Sequence, residues 1–180
     1  LRTTHGHRDR CSIAGIGATD FSRNSGRTTL SLAAEASLAA LADAGLTVDD
    51  VDGIVRCDSD AVAHNDLATA LGVPELTYWG STGTGGGAPC GMVGQAVGAV
   101  LSGQASCVVV FRSLNGRSGR RFGQGIGDPG QAVGGDGSLD EFFLPYGLVV
   151  PGQMWALLMQ RHMHEFGTTE EQLGAIALAC

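Results

Sequence analysis

The fold of this chain is decided by one stretch of sequence: Trp79-Gly80-Ser81-Thr82-Gly83-Thr84-Gly85-Gly86-Gly87, then residues 88–101, then Ser106-Cys107-Val108-Val109-Val110-Phe111. Apolar residues at helical spacing predict a helix from Ala88 to Leu101. A second row of this helix is made of small residues four apart, Cys90, Gly94, Gly98 and Ser102. Because glycine weakens a helix by about 1 kcal/mol relative to alanine, this row indicates close packing on both sides. We expect a helix buried inside a layered fold.

The segments before this stretch alternate between strands and helices. We expect a buried strand at Ser12–Ala18, a helix from Thr28 or Thr29 to Gly45, and a strand at Ile54–Arg56. A short helix, Asn65–Leu71, and an extended piece, Leu76–Trp79, lead into the glycine-rich turn. This order predicts an α/β fold with parallel strands joined by crossovers.

Several common chemistries are excluded by composition. All eleven basic residues are arginine, and without lysine neither a Walker-type phosphate loop nor a Schiff-base site can be completed. The partial dinucleotide fingerprint that starts at Gly15 has Asp20 at the third glycine position, and no helix follows directly, so it indicates a strand end and a turn. A net charge of -7 argues against a nucleic-acid surface.

Compartment and domain organisation follow from similar observations. No run is long and apolar enough for membrane insertion and no signal peptide is visible, so we expect a cytoplasmic protein with reduced cysteines. His5, His7 and Cys11 lie in a polar terminus, and we expect no metal site there. We predict a flexible N-terminus over residues 1–11 and one domain over 12–180.

Two polar clusters are candidates for function. Asp58, Asp60, His64 and Asp66 could bind a cation or transfer protons, or they could be solvated residues of a loop and a helix start. The second cluster follows the strand at 106–111, where α/β sheets bind ligands; its members are Arg112, Asn115, Arg117, Arg120 and Arg121. These arginines bind an anionic ligand or an acidic partner, or they fasten the following loop to carboxylates such as Asp128, Asp136, Asp140 or Glu141.

The remaining segments predict two more helices. The loop 123–139 is long and glycine-rich, and its formal GxGxxG at 125–130 lacks a preceding strand. One helix runs from about Pro151 to Gly167, and a second opens at a capping box around Thr169. The second has no end signal, so we expect the N-terminal portion of a longer protein.

Taken together, these features resemble the N-terminal part of the thiolase fold. The shared features are the strand–helix–strand start, the glycine-rich turn into a small-residue helix, Gly103-Gln104-Ala105 before a hydrophobic strand, and a Met/Trp helix ending at Gly167. More narrowly, the chain resembles lipid-transfer proteins of the sterol carrier protein X type. Arg112 to Gly123 is similar to the subgroup of aldolases that cleave steroid side-chain CoA thioesters. The resemblance implies layered, mixed sheets around the buried glycine-rich helix.

The resemblance also implies a chemistry. Thiolases place a nucleophilic cysteine at the start of the buried helix, and the family's spacing puts Gly86 there; Cys90, about a turn deeper, is interpreted as a buried structural thiol. Without that cysteine the fold retains a site for an acyl-CoA thioester, with Gly85, Gly86 and Gly87 near the substrate and donors for an enolate. This suits retro-aldol cleavage of a β-hydroxyacyl-CoA. A Cys90-dependent thiolase and a non-catalytic acyl-CoA carrier are the alternatives.

Partners are implied by resemblance alone. The resembling aldolases need no cofactor beyond the acyl-CoA substrate, and their acid–base tyrosines lie in the C-terminal half, so neither Tyr78 nor Tyr146 is assigned that role. They pair with a small acyl-CoA-binding protein. We expect a homodimer formed through the strand Ser106–Phe111.

Overall fold

The computed structural model describes residues 9–83, 86–117, 144–148 and 151–180. These residues belong to two compact units, 1–119 and 120–180. The first unit contains a parallel sheet with helices on both faces, and the second contributes two helices. His5, His7, Gly85, Arg120 and Arg121 lie outside the described residues, as do the acidic partners that were named for the arginine cluster.

The sheet has three parallel strands in the order β2-β1-β3. They are β1 (Gly53–Cys57), β2 (Tyr78–Thr82) and β3 (Val108–Phe111). In the central strand, Ile54 stands opposite Trp79 on one side and Val109 on the other. The predicted α/β class with parallel strands is therefore confirmed. The strand predicted at Leu76–Trp79 starts two residues later and runs on to Thr82.

Three helices cover this sheet: α1 (Thr29–Ala44), α2 (His64–Leu71) and α3 (Ala88–Leu101). Local sequence sets their ends. The Thr28 hydroxyl accepts a hydrogen bond from the Ser31 N–H at the start of α1, which satisfies one of the donors left free in a first turn. Gly45 and Gly72 end α1 and α2 in the left-handed conformation, which costs glycine little.

Alternation along β1 builds a core on each face of the sheet. Ile54 points to the face covered by α1 and α2, where it packs with Ala33, Leu67 and other buried residues. Val55 and Cys57 point to the opposite face and pack with Ala88 and Met92 of α3. The result is a helix–sheet–helix layering in which β1 is buried on both sides, as expected for the middle strand of a parallel sheet.

One residue, Asp52, joins the amino ends of all three strands through its side chain and its backbone. Asp52, directly before β1, accepts hydrogen bonds from the backbone N–H groups of Ser106 and Cys107 at 2.7 to 2.9 Å. Its own carbonyl oxygen accepts from the N–H groups of Thr77 and Tyr78, at 2.9 and 3.1 Å. Nothing in the local sequence marks Asp52 as a structural residue, because its partners lie far along the chain.

The predicted strand at Ser12–Ala18 is wrong. The segment is not part of the described sheet, and Ile13 and Ile16 are largely exposed. It lies directly on α1: a Cβ at Gly15 would collide with the carbonyl oxygen of Ala40, and one at Gly17 with that of Ala36. The glycines therefore allow close approach of two backbones. The apolar residues that predicted a buried strand are therefore exposed, and the glycines between them make the contact with the helix.

Burial of α3 is confirmed only for the side that faces the sheet. Met92 and Ala99 are buried there, whereas Gly94, Gly98 and Ser102 are exposed. A Cβ at Gly94 or Gly98 would have no described atom within 4 Å. Among the described residues, then, the sheet packs on one side of α3 and no layer covers the small-residue row.

The second unit contains α4 (Pro151–Phe166) and α5 (Glu170–Ala179), preceded by a 3₁₀ turn at Leu144–Tyr146. Gly167 is left-handed after α4. The Thr169 hydroxyl accepts from the Gln172 N–H, and the Gln172 side chain accepts from the Thr169 N–H. A capping box is thus present, but it joins Thr169 to Gln172 and not Thr168 to Glu171, as the sequence Thr168-Thr169-Glu170-Glu171 predicts. None of the helices in the described residues is long and apolar enough to cross a bilayer.

Candidate active site

The candidate site lies at the carboxyl end of the sheet. Parallel strands all end at the same edge, so the segments after β1, β2 and β3 meet there. They are residues 58–60, then Gly83, Gly86 and Gly87 of the glycine turn, and residues 112–117. The turn leads into the first turn of α3, where backbone N–H groups are free of helical partners.

The glycine turn is exposed and joined to β2. Gly83, Gly86 and Gly87 are all open to solvent. Thr82 holds the turn to the helix, since its hydroxyl donates to the carbonyl oxygen of Ala88 at 3.3 Å. A Cβ at Gly91 would lie only 3.2 Å from the Thr82 Cγ2, so the small residue allows this close contact.

Cys90 is exposed, so its interpretation as a buried structural thiol is wrong. It occupies the third residue of α3, on the small-residue row that no described residue covers. Gly86 is exposed and has no side chain that could attack a thioester; that it occupies the nucleophile position of thiolases stays a prediction. Cys90 is an exposed thiol in the first turn of α3.

Arg112 is fastened to Asp60. The Asp60 carboxylate is fully buried and accepts from the Arg112 Nε at 2.9 and 3.1 Å. It also accepts from the Ser113 backbone N–H at 3.0 Å. This charge-assisted pair holds the segment after β3 to the segment after β1. Arg112 therefore ties its loop to a carboxylate, which was one of the two interpretations of the arginine cluster. The partner is Asp60 of the acidic cluster and not one of the four carboxylates named above.

The other members of the arginine segment have different roles. Asn115 joins the segment to the chain before α1: its Nδ2 donates to the Arg27 carbonyl oxygen at 2.7 Å, and its Oδ1 accepts from the Ser25 hydroxyl at 3.1 Å. Arg117 is exposed. A cleft of about 300 Å³ opens between these two parts of the chain. Its lining combines Arg112, Ser113 and Asn115 with residues 17–22, Ser25, Leu32 and Ala36.

The acidic cluster does not come together as one site. Asp60 is buried in the pair with Arg112, whereas Asp58 and Asp66 are exposed. His64 Nε2 lies 2.8 Å from the Gly80 carbonyl oxygen, and its ring stacks on Trp79 at a centroid distance of 5.4 Å. No group of three or more His, Cys, Asp or Glu among the described residues could hold a metal ion. Ser59, which contacts Arg112, was not identified from the sequence.

Comparisons with known proteins agree with this geometry. No family model matches the chain. The chain is 47% identical over 167 residues to a steroid side-chain-cleaving aldolase of Thermomonospora curvata, covering 93% of this chain and 43% of that protein. It is 44% identical over 173 residues to the 17-hydroxy-3-oxo-4-pregnene-20-carboxyl-CoA lyase of Mycobacterium tuberculosis, covering 94% of this chain and 44% of the relative.

A solved structure shares the fold. The aldolase chain of a structure described as an Ltp2–ChsH2(DUF35) aldolase superposes with a TM-score of 0.73 at 46% identity, covering 88% of this chain and 39% of that one. The chain thus spans less than half the length of the relatives it matches. The resemblance to the aldolase subgroup, drawn from Arg112 to Gly123, is supported by these two relatives and this solved structure.

Proposed function

We propose that the protein to which this chain belongs is a thiolase-like aldolase that cleaves a β-hydroxyacyl-CoA thioester, of the steroid side-chain type, into a short acyl-CoA and a ketone. The observation that carries the proposal is identity of 44% to 47% across more than nine-tenths of the chain to two proteins named for this chemistry. The carboxyl-end site supports it, because it combines free backbone donors with no side chain at Gly86.

The reaction needs a base and an anion-stabilising site. A base removes the proton of the β-hydroxyl, the new C=O forms as the Cα–Cβ bond breaks, and the electron pair passes to the thioester as an enolate. Protonation at the α-carbon then gives the short acyl-CoA. N–H groups at the start of α3 would stabilise the enolate oxygen. No cofactor enters this scheme.

The base is proposed to come from outside the described residues. Tyr146 is exposed in the second unit. Tyr78 belongs to β2, at its amino end, and the glycine turn follows the carboxyl end of the same strand. Neither position supports a role as the acid–base group of the site.

A thiolase reaction is the second candidate, and exposure of Cys90 favours it. An exposed thiol in the first turn of a helix is accessible to an acyl donor and can act as a nucleophile. Acyl transfer would then require free CoA as the acceptor, whereas retro-aldol cleavage requires none. The two reactions are therefore separable by their co-substrate.

Assembly and location complete the proposal. A small CoA-binding protein is the proposed partner, by analogy with the two-component title of the similar structure. Homodimerisation through Ser106–Phe111 stays a prediction; β3 is an edge strand of the described sheet, which leaves one side of its backbone open. A cytoplasmic location accords with five free thiols and a CoA substrate.

The test is turnover by the full-length protein, with its partner where one is encoded beside it. We expect a β-hydroxyacyl-CoA steroid thioester to give short acyl-CoA and ketone without free CoA, and Cys90→Ala to retain this activity. Dependence on free CoA together with loss in Cys90→Ala would establish the thiolase reaction instead. Binding of the thioester without any product would establish a carrier.

A further inference from the structure

A line of polar atoms crosses the end of the central strand and joins Arg112 to the glycine turn. Arg112 Nη2 donates to the Ser59 Oγ at 3.3 Å. The Ser59 Oγ lies 3.2 Å from the Cys57 Sγ, and this sulfur donates to the carbonyl oxygen of Gly83 at 3.7 Å. These four residues, here called the hydrogen-bond relay, connect the segment after β3 to the turn after β2.

The hydrogen atoms of the relay can be placed one by one. A guanidinium only donates, so the Ser59 oxygen accepts from Arg112. The single thiol hydrogen of Cys57 goes to Gly83, so the contact between Ser59 and Cys57 must use the serine hydrogen. Every donor then points from Arg112 towards the turn. Hydrogen bonds aligned in this way polarise one another, so a change in charge at Arg112 alters the strength of the hydrogen bond to Gly83.

Both ends of the relay are fixed by packing. Cys57 is completely buried against Ala88 and Met92, so its sulfur keeps its place relative to the start of α3. At the other end, the buried Asp60 holds the Nε side of Arg112. The Arg112 side chain is 31% exposed, and no atom of the described residues accepts from its Nη1. Arg112 is thus held on one side and open to an anion on the other.

We propose that Ser59 and Cys57 are positioning residues that transmit binding of a phosphate-bearing ligand at Arg112 to the glycine turn. The inference rests on the proposed function: the ligand is the CoA portion of the thioester substrate, whose phosphates match an open guanidinium. An anion beside the open Nη1 of Arg112 polarises the guanidinium, and the aligned hydrogen bonds carry this change to the Gly83 carbonyl oxygen. The backbone at Gly86 and Gly87 then presents its donors to the thioester.

Turnover with two substrates tests the coupling. One is the full CoA thioester and the other the pantetheine thioester of the same acyl group, which lacks the nucleotide and its phosphates. In the wild-type full-length protein we expect a higher kcat with the CoA form. Ser59→Ala and Cys57→Ala should lower this kcat advantage by about three- to tenfold, the effect of losing one net hydrogen bond. Cys57→Ser, which keeps a donor, should restore most of it.

Two further variants make the result specific. Cys107→Ala removes a half-buried thiol at the opposite end of the sheet. It should leave unchanged the ratio of kcat with the CoA thioester to kcat with the pantetheine thioester. The double variant Ser59→Ala/Cys57→Ala should be no worse than either single variant, since both break one pathway. Equal loss of kcat on both substrates, or additive effects, would overturn the inference. Ser59 is half-buried, so its variant answers the question even where Cys57→Ala fails to fold.

A second readout does not depend on turnover. Free CoA should slow amide hydrogen exchange in a peptide spanning 80–90 of the wild-type protein by at least about threefold, and this protection should be lost in Ser59→Ala. Equal protection in both proteins, or no protection in either, overturns the relay. Protection without any cleavage of the thioester would refute the proposed aldolase while supporting the relay.

Discussion

The Asp52 carboxylate accepts two hydrogen bonds from one backbone N–H, that of Ser106, at 2.9 and 2.7 Å. A further bond comes from Cys107, so a single side chain fixes the start of β3 to the start of β1. Because charged acceptors contribute more than neutral ones, this contact is among the larger local contributions to the stability of the first unit.

Asp52→Ala should therefore lower the free energy of unfolding by about 2 to 3 kcal/mol, since two backbone donors lose a charged acceptor. Urea denaturation followed by circular dichroism measures the change. Asp49→Ala, at an exposed carboxylate in the 3₁₀ turn Val48–Asp50 that precedes β1, is the matched control and should shift the midpoint little. Equal shifts in the two variants would contradict the assigned role of Asp52.

Asp60→Ala should destabilise the protein by about 2 kcal/mol or more, because it leaves Arg112 and the Ser113 N–H without their acceptor. Partial exposure of Arg112 keeps the loss below that of a fully buried pair. Asp58→Ala, two residues away and exposed, should be nearly neutral. Thermal unfolding of the two variants gives the comparison, and similar melting temperatures would show that the pair contributes little.

Gly17→Ala should cost about 1 to 3 kcal/mol, because the new methyl group collides with the backbone of α1 and one element must move. Ala14→Val enlarges an exposed side chain of the same extended segment and serves as the control. Proteolysis near the N-terminus should become faster in Gly17→Ala alone. Unchanged stability and cleavage in this variant would mean that the segment does not lie on α1 in solution.

Alkylation by iodoacetamide should separate the cysteines by position. Cys90 and Cys180 are exposed and should react first, and Cys57 only after denaturation. Burial raises the pKa of the Cys107 thiol above its ordinary value, and the carboxylates of Asp52 and Asp50 add to the rise. Cys107 should react slowly at neutral pH. Rapid labelling of Cys57 in the native protein would contradict its burial.

The same shift gives a pH dependence with a defined sign. The folded protein keeps the Cys107 proton to a higher pH than the unfolded chain, so stability falls as the pH rises from the unfolded pKa through the folded pKa. Cys107→Ser removes this titration. In alkaline buffer the wild type should therefore become less stable relative to Cys107→Ser. Around neutral pH the difference between their free energies of unfolding should stay constant. A constant difference across this range would rule out the raised pKa.

Local signals predicted the elements that local chemistry decides. Helix α3 has the predicted bounds, Thr28 begins α1, and Gly45 and Gly72 end α1 and α2, as the side chain of Thr28 and the freedom of φ at glycine indicate. Arg112 follows β3 at the carboxyl end of the sheet, as its place after the predicted strand indicates; that this edge binds a ligand stays a prediction. What surrounds Cys90 and the small-residue row could not be predicted, because exposure depends on which layers are present.

Long-range polar partners were beyond a sequence argument. Asp60 was expected in a cluster with His64 and Asp66, yet it pairs with Arg112, more than fifty residues away. Periodicity describes which face a side chain occupies but carries no information on which distant donor lies opposite it. The strand predicted at Ser12–Ala18 was wrong for a related reason. Its apolar spacing suits a strand, but Gly15 and Gly17 pack against the backbone of helix α1.

The central place of β1 has a consequence for synthesis. This strand leaves the ribosome before either neighbour, and its first partner, β2, follows after one short helix, whereas β3 follows only after the whole of α3. A nascent chain can close the β1–β2 pair while the other edge of β1 is still unpaired. Pairing at long sequence separation is slow and exposes apolar edges. The edge of β1 that pairs with β3, with Val55 opposite Val110, is therefore the edge that stays unpaired longest during synthesis.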